Sequence, residues 1–220
     1  TAGNVIAAAG FLRGLRALTK ELGALLISDE MITGFGRTGK MWGCDHESVV
    51  PDILTVGKGL GGGFPVSGVI TSTELARSKP WGNPSGSSSS YGGNPLAGAA
   101  CDAALQIILK EDLVENSRKV GELLLQKLVA LKARSPLIGL ARGRGLMIGV
   151  ELVNPKTRKP LEGPLCRELF EECLTRGLIT MSYNPMLRIN PPLTLTESEA
   201  IHGVEVFGEA LAALAGRHGL

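Results

Sequence analysis

The chain has 220 residues, 44% hydrophobic and 20% charged, and its 23 Lys+Arg against 21 Asp+Glu leave a formal charge of +2. These figures exclude a disordered tail and a strongly basic nucleic-acid binder. The 30 glycines follow no triplet period, which excludes collagen, and no stretch approaches the roughly 20 apolar residues of a membrane span.

The opening TAGNVIAAAG lacks an initiator Met and the basic flank of a signal peptide, so Thr1 reads as a point inside a longer natural chain. Phe11, Leu12, Leu15, Leu18 and Leu22 recur at helical spacing, with Arg13, Arg16 and Lys20 between them. This predicts an amphipathic helix stopped near Gly23. Residues 24–28, ALLIS, follow as a short buried strand, and 52–56, DILTV, as a second. Helix, strand, glycine loop and strand predict an α/β layer with a largely parallel sheet. Residues 82–94 are a small, polar loop, after which Asn94 and Pro95 suit the cap and first turn of a helix. Residues 113–133 continue as helix. Residues 145–152 and 178–183 read as strands around a helix near 169–177, and 186–193 as a short extended segment. Thr196 and Glu199 fit the capping box of a terminal helix. The change from sheet and loops to helices and strands sets a domain boundary near residue 112, giving 1–112 and 113–220.

Cys44, Cys101, Cys166 and Cys173 are far apart and form no Cys-x-x-Cys pair, so buried free thiols in a reducing cytoplasm are expected and a metal site is not. His46, His202 and His218 have no partner pattern and read as surface or structural residues. Two stretches, Gly34-x-Gly36-x-x-Gly39 and Gly57-x-Gly59-x-x-Gly62, match a dinucleotide fingerprint. Pro65 stands where the second would need a helix, and Gly59 replaces the Ser/Thr of a Walker loop. Nucleotide binding is therefore not expected.

Taken alone, Lys58 reads as an ordinary loop lysine and Asp29 as a cap for the next segment. Together they say more, because each lies just past the carboxyl end of an expected parallel strand, where ligands bind in open α/β sheets. A partly desolvated lysine can attack an aldehyde. A carboxylate can hold a protonated pyridine nitrogen and keep that ring electron-withdrawing. Those are the two contributions a protein makes to pyridoxal phosphate (PLP) chemistry.

The segment ISDEMITGFGRTGKMWGCDHESVVPDILTVGKGLGGGFPVSGVI resembles the PLP-binding segment of class III aminotransferases, in the fold type I group. The resemblance rests on the Asp29-Glu30 pair, Gly36-Arg37-Thr38-Gly39, Pro51-Asp52, and Lys58 placed 29 residues after Asp29. It continues through Tyr91-Gly92-Gly93-Asn94-Pro95-Leu96-Ala97, Arg142-Gly143-Arg144-Gly145-Leu146 and Leu187-Arg188, and covers essentially the whole chain. It implies an α/β fold: part of the large, mostly parallel-sheet PLP domain in 1–112, and a small α+β carboxyl-terminal domain in 113–220.

By position, the resemblance implies that Lys58 forms the aldimine with PLP and carries the proton transfers, and that Asp29 pairs with the pyridinium nitrogen. Strand alternation puts Met31 on the Asp29 face, where the family usually packs Val or Ala on the ring. Ile32 stands where several relatives carry Gln and cannot hydrogen-bond. Ser90 matches a Thr that binds the cofactor phosphate across a dimer interface, while Ser87 replaces a frequent His. Arg188 matches the arginine that receives a substrate carboxylate. Glu30 is expected to point away from Asp29 into a structural contact.

The implied reaction is amino transfer from an amine or omega-amino acid donor to an oxo-acid, in a cytoplasmic homodimer or higher oligomer without nucleic-acid or membrane partners. The family usually has about twice this length, so the chain is expected to be a carboxyl-terminal half whose amino-terminal half supplies the rest of the phosphate site and substrate pocket. An aminomutase, a decarboxylating transaminase and a non-catalytic association fragment are the alternatives.

Overall fold

The computed structural model describes residues 3–182 and 184–220. They fall into two compact units, Ala7–Val114 and Glu115–Leu220, and the segment up to Ile6 groups with the second.

In the first unit, helix α1 (Phe11–Glu21) leads into strand β1 (Ile27–Asp29), a long turn region and strand β2 (Ile53–Gly57). Strand β3 (Ser67–Thr71), the short helix α2 (Thr73–Arg77) and helix α3 (Pro95–Lys110) follow. The sheet order is β1-β2-β3. Strands β1 and β2 are parallel, with Asp29 opposite Thr55, whereas β3 runs antiparallel to β2. The largely parallel sheet expected from sequence is thus one parallel and one antiparallel pair here. Strand β1 also starts later than expected, because the amide of Leu26 bonds the Asp52 carboxylate (2.7 Å) instead of entering the ladder. Arg16 holds the same carboxylate oxygen at 2.7 Å. Helix α1 packs Leu12 and Leu15 against Leu26, Cys44 and Val49. Asn94 caps α3 by accepting the amides of Leu96 (2.9 Å) and Ala97 (3.4 Å).

The second unit contains helix α4 (Leu113–Lys132), strands β4 (Ile138–Arg144) and β5 (Met147–Leu152), helix α5 (Gly163–Thr175), strand β6 (Met186–Ile189) and helix α6 (Glu197–His218). The antiparallel sheet has order β4-β5-β6. Ile148, Val150 and Leu152 alternate toward a core shared with Leu128 of α4, Leu169 of α5 and Leu211 of α6. The other sheet face takes the opening segment: a Cβ on Gly149 would lie 2.2 Å from the carbonyl oxygen of Gly3. Asn4 donates there to Ile148 O at 2.8 Å. Helix α4 crosses the β4–β5 turn so closely that a Cβ on Gly121 would sit 2.2 Å from the Gly145 carbonyl. Thr196 and Glu199 form the capping box of α6.

Residues 178–182 form no strand; Ile179 is exposed and Ser182 is buried against Thr180. Their apolar side chains line a cavity and do not enter a ladder. Tyr183, the last residue of that expected strand, lies outside the described residues, as do Thr1 and Ala2. Among the described residues no helix is long and apolar enough to cross a membrane.

Candidate functional site

The parallel pairing of β1 and β2 brings their carboxyl ends side by side. Asp29 is the last residue of β1, and Lys58 follows Gly57, the last residue of β2. Both lie at the same end of the sheet and both are exposed. Asp29 Oδ1 accepts the Thr55 hydroxyl and the Met31 amide, each at 3.1 Å. Its Oδ2 has no hydrogen-bond partner among the described residues. Lys58 sits in left-handed backbone (φ 46°), where the chain turns abruptly out of the strand. Its ammonium forms no ion pair among the described residues.

Met31 does not continue strand β1, as alternation had suggested, because the chain turns immediately after Asp29. Its thioether instead covers Gly57: a Cβ there would lie 2.6 Å from Met31 Cε and 2.8 Å from Sδ. Met31 therefore lies between the strand ends that carry Asp29 and Lys58.

Behind Asp29, Glu30 points the other way and is 1% exposed. Its carboxylate accepts the amides of Gly43 (2.8 Å) and Cys44 (2.9 Å) and the hydroxyls of Ser28 (3.2 Å) and Thr33. Burial alone would raise its pKa, but the donors from Thr33, Gly43 and Cys44 outweigh it and hold the group below its ordinary value. Burial, reinforced by the Glu30 charge, pushes the Cys44 thiol up to about 12. Glu30 thus fastens the 31–44 turn region behind the site, and Phe35 and Trp42 meet edge-on at 5.0 Å within it. His46 Nε2 bonds Thr38.

Ser90 lies in the exposed segment before α3 and makes no hydrogen bond to Asp29 or Lys58. Arg188 belongs to the second unit, on β6 opposite Gly149. It is half-buried, its guanidinium lies 4.0 Å from the Met181 sulfur, and it forms no ion pair among the described residues. It lines a cavity of about 290 Å³ together with Leu124, Leu178, Leu187 and Phe207. The structure thus brings Asp29, Met31 and Lys58 together at one sheet end and joins Ser90 to none of them.

Sequence reading missed Thr55. Its signal was a lone hydroxyl in an apolar strand three residues before Lys58, but only strand register shows which residue it faces. Chemically, a free carboxylate oxygen suits a heterocyclic N–H, and an unpaired primary amine suits an aldehyde. Among the described residues no group of three or more His, Cys, Asp or Glu side chains could hold a metal ion.

Residues 1–211 match the family Aminotransferase class-III. The chain is 39% identical over 207 residues to human mitochondrial alanine–glyoxylate aminotransferase 2, covering 92% of this chain and 40% of that protein. It is 38% identical over 207 residues to the acetylornithine aminotransferase of Bacillus subtilis (strain 168), covering 94% and 50%. An S-selective transaminase from Arthrobacter sp. superposes with a TM-score of 0.89 at 33% identity, over 98% of this chain and 50% of that one. The chain spans about half the length of the curated relatives it matches. Its architecture is that of the fold type I transaminases, and with the family match running through both units, the chain belongs to the class III aminotransferases.

Proposed function

We propose that the protein carrying this chain is a PLP-dependent aminotransferase, moving an amino group from an amine or omega-amino acid donor to an oxo-acid. The observation that carries the reading is the pair at one sheet end: Asp29, with a carboxylate oxygen unengaged among the described residues, closes β1, and Lys58, with an amine unpaired among them, directly follows the parallel β2. When bound, PLP supplies an aldehyde that condenses with amines and a pyridinium ring that withdraws electrons.

The protein's own residues divide the remaining work. Asp29 Oδ2 would accept the ring N–H and keep that nitrogen protonated through a charge-assisted bond. Lys58 would hold the cofactor's aldehyde carbon, and its Nζ, once free, would serve as the base and then the acid for the proton moved off the donor carbon. Left-handed backbone at Lys58 turns the chain away from the strand directly beside the site. Met31, whose thioether covers Gly57, would border the ring. Ser90 would supply a hydroxyl to the phosphate from a second subunit of a homodimer. Arg188 receives the acceptor's carboxylate in a planar bidentate pair. Free, largely buried cysteines suit a reducing compartment, and the protein is assigned to the cytoplasm.

The test is Lys58→Ala in the full-length protein. Borohydride trapping followed by peptide mass analysis should find PLP on Lys58 in the wild type and nowhere in the variant, with transamination lost. Undiminished turnover in the variant would reject the assignment.

A further inference from the structure

Asp29 is exposed, so its carboxylate would find water without help from the protein. It nevertheless carries two fixed protein donors, and both converge on the same oxygen. The Met31 amide comes from the tight turn after β1, and the Thr55 hydroxyl comes across the sheet, each 3.1 Å from Oδ1. Parallel register sets the second contact: Asp29 and Thr55 are direct partners, so their side chains leave the sheet at one level. A β-branched threonine is stiff at χ1, which fixes where its hydroxyl can stand. That hydroxyl has a single proton, and donating it to Oδ1 commits it.

The terminal torsion of an aspartate is broad and roughly two-fold. One amide alone would let the two oxygens exchange roles. A second donor on Oδ1 holds the carboxylate plane and leaves Oδ2 facing away from the sheet's own hydrogen bonds. Because neither partner is deeply buried, the bond is not required to satisfy a desolvated group. Its consequence is orientation.

We infer that Thr55 is a positioning residue: with the Met31 amide it pins Asp29 Oδ1, so that Oδ2 is the oxygen presented to the cofactor's ring nitrogen. The inference rests on the PLP reading above and adds the group that aims the carboxylate. The role assigned to Thr55 is exercised through Asp29.

The test compares Thr55→Val and Thr55→Ser in the full-length protein loaded with PLP whose ring nitrogen carries ¹⁵N. Valine keeps the shape and removes the donor; serine keeps the donor and removes the methyl. A hydrogen bond to a charged group of ordinary strength predicts that PLP affinity falls about tenfold in Thr55→Val, by absorbance titration. The ¹⁵N resonance should move toward the unprotonated position. Thr55→Ser should restore both, and thermal stability should stay near wild type in both variants. Should Thr55→Val not fold, Thr55→Ala read against Thr55→Ser isolates the same hydroxyl. Wild-type affinity and ¹⁵N shift in Thr55→Val would overturn the inference, as would equal losses in the valine and serine variants, which would mean packing. A wild-type protein that traps no PLP on Lys58 would instead overturn the cofactor reading, so the two failures are distinct.

Discussion

Helix α6 buries Ala200, Val204, Val206, Phe207, Ala210, Leu211 and Leu214, whereas helix α1, also amphipathic in sequence, buries none of its residues. Phe11 and Leu18 stay exposed on α1, as do Leu22 at its end, Leu25 before β1 and Ile27 within it. The contrast extends to the units that hold these helices. Glu115–Leu220 closes a continuous core between one sheet face and three helices. Ala7–Val114 carries Asp29 and Lys58 but leaves much of its apolar surface bare. The unit with the candidate site is the one that buries less of its own apolar surface.

The sharpest test of that contrast lies in the closed core. Leu211 is fully buried, and Leu211→Ala should cost about 2–5 kcal/mol in urea unfolding followed by circular dichroism. A loss below about 1 kcal/mol would mean that the second unit is not the better packed of the two.

Glu30 is the counter-example within the first unit, a buried polar hub beside a small apolar cluster. Glu30→Gln keeps one acceptor oxygen and turns an amide toward two donors, so it should cost about 2–3 kcal/mol. The sign of its pH dependence follows from its lowered folded pKa. The stability Glu30 contributes is fully present above its ordinary value of 4.5 and is lost as pH falls through the lower folded value. An acid titration of stability should show this step in the wild type and lack it in Glu30→Gln.

The smallest effect is expected on the bare face. Leu18 is 49% exposed, and Leu18→Ala should change stability by no more than about 0.5 kcal/mol, since alanine favours helix and little contact is lost. A cost near 2 kcal/mol would show that something covers α1 in solution and would break the comparison at its weaker end.

What could be read from sequence follows the range of the forces involved. Asn94 at the head of α3 and the Thr196–Glu199 box at the head of α6 were legible because a cap joins residues two or three apart. The end of DILTV against Gly57-Lys58 was legible because an apolar run stops at glycine. Strand β4 was hidden: Gly139, Gly143, Arg142 and Arg144 dilute its pattern, and its pairing with β5 supplies what propensity does not. Strand β3 was hidden behind Pro65 and the glycines before it. The error at 178–182 had the opposite cause, since apolar residues that line a cavity mimic a buried strand.

Sequence alone determined the long helices α1, α3, α4 and α6, the caps at Asn94 and Thr196, the residue types suited to imine chemistry and the direction of Glu30, because each depends on neighbours along the chain or on side-chain alternation; it missed the short α2 and the first turns of α5, which begins at Gly163. Only the tertiary structure decided that Asp29 stands beside Thr55, that Met31 folds over Gly57, and which apolar faces are covered. Those facts depend on register between strands about two dozen residues apart and on the close approach of distant backbones, and neither leaves a periodic trace in the sequence.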